Sequence, residues 1–215
     1  LSVRNPSGIV VAITLVAGLV DALGYFRLGH VFIANMTGNL VLLSIALARG
    51  HLAQAMRSTY CLCGFALGAI FASWPLGLSF SKRSVLIGLG LEFFSLVFLS
   101  GLVLMGRDIA AIVVGSFGMG VQSRLAKHLH VAGAITTVVT STLTQMMDDL
   151  LMGFRGQGWP RGAAVRLALF FAYAIGAMVA ALGRRHPTRV VLLSVVVLAG
   201  LSLWVAVSRA SAEPR

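Results

Sequence analysis

Charge is what this sequence has least of. Of 215 residues, 11% are charged and six are acidic, where a soluble domain carries about a quarter charged residues. That is too little to coat a globule in water. With 58% hydrophobic residues and a mean hydropathy of +0.94, the chain reads as a polytopic membrane protein. Cysteine is nearly missing as well. Cys61 and Cys63 form a C-x-C, and two cysteines build no disulfide framework. Residues two apart do not share a helix face, so the pair is expected to be small packing residues and no metal site. Catalytic signatures are missing too: there is no Ser-His-Asp order, no Gly-Lys phosphate loop and no H-E-x-x-H. The GLGLE at 88–92 sits in an apolar run with no strand before it, and the H-x-H of His128 and His130 sits in a basic loop. No enzyme activity, cofactor or metal is expected. No small-residue cleavage pattern follows the first apolar run, so no signal peptide is expected either.

The basic residues are plentiful, 17 Lys and Arg against 6 acids. They cluster between apolar runs, as Lys82-Arg83, Arg124/Lys127 and Arg184-Arg185. Without interleaved aromatics they do not resemble a single-strand binder. They read as flanks that meet lipid phosphates, which makes the bilayer the expected partner and excludes nucleic acid. The runs themselves are 8–26, 31–48, 55–80, 84–105, 108–125, 131–152, 163–183 and 189–208. The expected fold is an all-α polytopic membrane protein, one membrane domain over residues 1–215, with about six to eight membrane segments. Trp74-Pro75 interrupts the third run late, where a kink is expected.

Two runs are poor as hydrophobic spans. FIANMTGNLVLL, residues 32–43, carries Asn35, Thr37, Gly38 and Asn39 in its middle. The sixth run holds five Thr, one Ser, Gln145, Asp148 and Asp149. They fall at equivalent places in a repeat. AGLVDA (17–22), NMTGNLVL (35–42) and GFALGA (64–69) are followed in the same order by FGMGVQS (117–123), VVTSTLTQ (138–145) and AYAIGA (172–177). Thr37 aligns with Thr140, Gly38 with Ser141 and Asp21 with Gln122. Gly64, Gly68 and Ala72 align with Ala172, Gly176 and Ala180, each set a small helix face that lets backbones approach in lipid. Two repeated halves, about 8–105 and 108–208, are expected.

The stretch VAGLVDALGYFRLGHVFIANMTGNLVLL resembles the amino-terminal signature of the YoaK-type family of bacterial inner-membrane proteins, which carry a domain of unknown function. The matching elements are Gly18, Asp21 and Ala22, then Phe32, then Thr37, Gly38 and Asn39. GMGVQS followed by a Thr-rich run resembles a second signature, with Ser141 where the family usually has Gly. The resemblance implies a multi-pass inner-membrane protein and supplies no activity.

Function then rests on the polar residues inside the runs. Asp21, Glu92, Asp148 and Asp149 all fall in apolar runs. A central acid costs about 2.5–3.5 kcal/mol on insertion scales, so it faces a partner, a cation or a cavity. For Asp21 a salt bridge to Arg27 or Arg124 competes with a functional role; for Glu92, and for Asp148 and Asp149 near a helix end, a salt bridge is favoured. The amides of the second run allow two readings. Either the helix opens at Gly38 to present backbone to a ligand, or it is continuous and uses Asn and Thr to bind neighbours. Asn35-Met36-Thr37 matches a glycosylation pattern, but its apolar setting argues against modification. The first functional expectation is a small secondary transporter or channel-like carrier for a small polar solute or ion. Asn35, Thr37, Gly38 and Asn39 would lie opposite Thr140, Ser141 and Thr142, with Asp21, paired with Gln122, holding a proton or cation. The rival is a non-transporting assembly or regulatory protein whose polar residues only fasten helices. Two topologies remain. If all eight runs cross, the halves are parallel; if 31–48 and 131–152 dip in and return, they are inverted. Both put the chain ends on one side.

Overall fold

The computed structural model describes residues 5–77, 81–129, 139–156, 158–160 and 162–208. Among them are eight helices and no strand. The first, α1 (Pro6–Arg27), opens on Asn5, whose side chain accepts the Gly8 N–H at 3.0 Å, with proline where no N–H is needed. It ends before Gly29 and His30, both at positive φ. α2 (Met36–Ala48) has 13 residues, about 20 Å, too short for a bilayer. α3 (Leu52–Gly77) continues through Pro75. α4 (Lys82–Leu104) is capped by Ser81, which accepts the Ser84 N–H at 3.1 Å. α5 (Asp108–His128) places Asp108 in its first turn and Lys127 and His128 in its last, matching the helix dipole. α6 (Val139–Phe154), α7 (Ala163–Leu182) and α8 (Pro187–Val207) complete the order.

Six helices, α1, α3, α4, α5, α7 and α8, are long and apolar enough to cross a membrane. Large apolar side chains such as Ile70, Trp74, Phe98 and Leu182 project outward, Trp74 at 83% exposure. Water would penalise that surface and hydrocarbon does not. Ile9, Ile13, Leu19, Leu96, Leu99 and Ile112 fill the interior. The chain is an all-α, multi-pass membrane protein.

Bonds between helix ends fix the helix directions. Arg27, last in α1, pairs with Asp108, first in α5, at 3.2 Å, so α1 ends on the face where α5 begins. Gln54, at the start of α3, donates to the His30 carbonyl at 3.2 Å, just beyond α1. Residues 31–48 therefore return to the face they left: 31–35 enter without helical structure and α2 comes back. The eight-crossing alternative fails at this run. On the other side, Lys82 at the start of α4 donates to the carbonyls of Ala206 (2.7 Å) and Ser208 (2.9 Å) at the end of α8. α4 is antiparallel to α5, since a Cβ on Gly88 would touch Leu125 and one on Gly118 would touch Ser95. Hence α8 runs parallel to α5. α7, joined to α8 through four residues, runs against both, and α5 ends on the face where α7 starts. Residues 131–138 of the sixth run lie outside the described residues.

The six crossings among the described residues put Asn5 and Ser208 on one face. Reporters fused ahead of Asn5 and after Ser208 are expected to report the same side of the membrane. Opposite sides would overturn the assignment.

The bundle is held where backbones touch. α1 packs on α7 and α3 on α5. A Cβ on Gly18 would fall on the Tyr173 carbonyl oxygen, and one on Gly176 on that of Leu15. In the other pair, Gly68 meets the carbonyl of Phe117 and Gly120 that of Phe65, while Gly64 meets Ser116 and Val113. Ala72, Ala172 and Ala180 are buried as well. In lipid, where apolar burial drives little association, such close approach supplies the packing attraction.

Candidate functional site

Where 31–35 enter the bundle, backbone without helical partners lies among apolar helices. Every such N–H and C=O costs several kcal/mol on the order of an unmade hydrogen bond in hydrocarbon. The polar residues of the signature stretch supply the partners. Asp21 lies six residues before the end of α1, about 9 Å inside it, and is 2% exposed. Its Oδ1 accepts the N–H of Ala34 at 2.5 Å and of Asn35 at 3.2 Å. Its Oδ2 accepts the Tyr173 hydroxyl of α7 at 2.6 Å. Asn39, fully buried in the first turn of α2, takes the Phe32 N–H on Oδ1 at 2.9 Å and gives its Nδ2–H to the Phe32 carbonyl. Its amide thus pairs with both backbone groups of one residue, as a neighbouring strand would. Cys61 of α3 donates to the same carbonyl at 3.0 Å. Asn35 caps α2 by accepting the Gly38 N–H at 3.1 Å. Gly38 leaves room for the Phe32 ring, 2.7 Å from where a Cβ would stand.

The break thus falls at 28–35 and not at Gly38, which is helical. The family model described as "Protein of unknown function (DUF1275)" matches residues 9–207. The chain belongs to that family. It is 35% identical over 178 residues to the UPF0700 transmembrane protein YoaK of Bacillus subtilis (strain 168), covering 78% of this chain and 79% of that protein. No solved structure matches. In this member of the DUF1275 family, several residues that carried the resemblance build the entry: Gly18 admits α7, Asp21 holds 34–35, and Asn39 holds Phe32.

Other expectations fare differently. Neither Arg27 nor Arg124 pairs with Asp21, because Arg27 is bound to Asp108 across the bundle end and backbone N–H groups occupy the carboxylate. Thr37 is exposed. α2 packs on α3 and α6 on α7, and among the described residues these two short helices do not touch, so Ser141 and Thr142 are not packed against Asn35 and Asn39. Thr142 is buried and Ser141 half-buried, while the Thr140 side chain lies outside the described residues. Gly18 meets α7 at Tyr173 and Ala177 as Gly120 meets α3 at Phe65 and Ala69, so the counterpart of Asp21 on α5 is Ser123, one residue beyond Gln122. Gln122 instead lies buried on the α4 side of α5.

Sequence reasoning missed Tyr173, which no local pattern joins to Asp21, and gave Cys61 no bonding role. The salt bridge favoured for Asp148 and Asp149 is present at Asp149, but its partner was not foreseen: Arg166 bonds it at 2.7 and 2.6 Å between α7 and α6, although an Arg inside an apolar run is a signal. Beside this pair is an apolar cavity of about 390 Å³ lined by Met146, Leu150, Trp159 and Leu167. A more polar cavity of about 240 Å³ lies between α3 and α5, lined by Ser73, Ser123, Arg124 and Lys127 with Ala69 and Ile70.

Proposed function

We propose that the chain is a small secondary carrier for a small polar solute or ion, built from two inverted halves, about 8–105 and 108–208. The observation that carries this reading is the entering segment 31–35, held at membrane depth by one carboxylate, Asp21, that also reaches α7 of the other half. Carriers made of inverted repeats use such interrupted helices at their solute and ion sites. The glycine-paired packing of α1 on α7 and of α3 on α5 supports the duplication. Proton coupling follows from the bonding at Asp21. Its three neighbours are all donors, so a proton added to the carboxyl removes an acceptor and loosens the joint. The polar cavity at Ser73, Ser123, Arg124 and Lys127 is a place for solute.

The test is reconstitution into liposomes with a pH-sensitive dye trapped inside and an imposed proton gradient. One or more solutes from a panel of small polar compounds is expected to drive proton movement, which Asp21→Asn abolishes without loss of inserted protein. If intact protein moves no solute, the second reading stands: a non-transporting assembly or regulatory protein. That reading is favoured by the saturation of Asp21 and Asn39 with the chain's own groups, as expected of residues that only fasten.

A further inference from the structure

The acid expected to sit in a salt bridge is the one without a partner. Glu92 is 0% exposed, and neither carboxyl oxygen has a hydrogen-bond partner among the described residues. It lies ten residues into α4, about 15 Å from one end and 18 Å from the other, near the middle of this membrane-crossing helix. The antiparallel register of α4 and α5, with Gly88 at Leu125 and Gly118 at Ser95, sets Glu92 level with residues 121–122. Gln122 shares a helix face with Gly118 one turn away. It is 1% exposed, and its Oε1 is a third buried oxygen without a partner.

No charged side chain of the packed elements is bonded to Glu92 among the described residues. Asp108 of α5, Arg189 of α8 and Arg57 of α3 lie toward one membrane face. Lys82 and Arg83 of α4 and Lys127 and His128 of α5 lie toward the other, Lys82 bound to the end of α8. Arg124 turns to the cavity with Ser73 and Ser123. Cys61 of α3 is engaged by Phe32. Three buried acceptor oxygens at one level with no bonded donor are costly in hydrocarbon, and a proton or small cation between them relieves that cost.

We propose that Glu92 and Gln122 form a monovalent-cation site near the middle of α4, taking a proton or an alkali ion, separate from the Asp21 cluster. This goes beyond the carrier reading and does not require that the protein transport anything. The site offers three oxygen ligands, two from Glu92 and one from Gln122, and lies between two crossing helices.

A hydrophobic carbodiimide adds only to a protonated carboxyl and enters the bilayer freely, so it reads the site in the whole protein. Wild-type protein in liposomes is treated with the reagent, and modification is located by peptide mass spectrometry. Modification at Glu92 is expected, falling several-fold as pH is raised, and absent in Glu92→Gln. A further several-fold protection by sodium or potassium over choline at fixed pH identifies the alkali ion; none identifies the proton as the sole occupant. The Gln122→Leu variant is expected to lose alkali protection while Glu92 stays reactive. No modification at Glu92 at any pH, or modification indifferent to both pH and alkali ions, overturns the proposal. Neither result bears on solute flux, which tests the carrier reading separately.

Discussion

Asn39→Ala is expected to lower the stability of the detergent-purified protein by about 2–5 kcal/mol, since it strips partners from two buried backbone groups at once. The amide pairs with both the N–H and the C=O of Phe32, and α2 cannot supply replacements because its own ladder starts later. Cys61 still reaches the carbonyl, so the N–H of Phe32 suffers most. Asn39→Asp keeps an acceptor for that N–H but loses the donor, so an intermediate loss is expected. Thr37→Ala, at an exposed position two residues away, should change little. Size-exclusion chromatography after graded heating measures each. Asp21→Ala combined with Asn39→Ala should be less destabilising than the sum of the two, because both residues hold the same segment and either change releases it. Full additivity, or an Asn39→Ala protein as stable as wild type, would mean that 31–35 are held by something else.

Gly68→Leu and Gly176→Leu are expected to abolish most folded protein. At each position a Cβ already lands on a carbonyl oxygen of the facing helix, Phe117 in one case and Leu15 in the other. A backbone cannot swing aside as a side chain can, so α3 must leave α5, or α1 must leave α7. The cost is on the order of 4 kcal/mol or more, in the range where single changes unfold a protein. Gly90→Leu and Gly101→Leu are the controls: both are helical glycines of α4 with nothing within 4 Å of a Cβ. Monodisperse yield after detergent extraction separates the outcomes. Equal yields at all four positions would show that the helices do not approach at these glycines.

What the sequence determined by itself is set by quantities that sum along the chain. Hydropathy made the protein a multi-pass bundle and fixed where its apolar runs lie, because transfer free energy accumulates residue by residue. Spacing by four placed Gly64, Gly68 and Ala72 on one face and Ala172, Gly176 and Ala180 on another, because helix geometry repeats. The same reading marked 31–48 as a poor span, and it carried the signature of the family. Direction is not such a sum. Whether 31–48 crossed or returned depended on Gln54 reaching His30 and on Arg27 reaching Asp108 across 81 residues of chain. The meaning of the polar residues was decided in the same way. Asn39 looks alike in sequence whether it binds a solute or completes the backbone of Phe32, and Asp21 meets Tyr173 from 152 residues away. Among the buried acids, Asp149 has Arg166 and Glu92 has no partner among the described residues. An acid in an apolar run always requires compensation, but which group provides it is a matter of what stands within about 3 Å, and only the packed helices determine that.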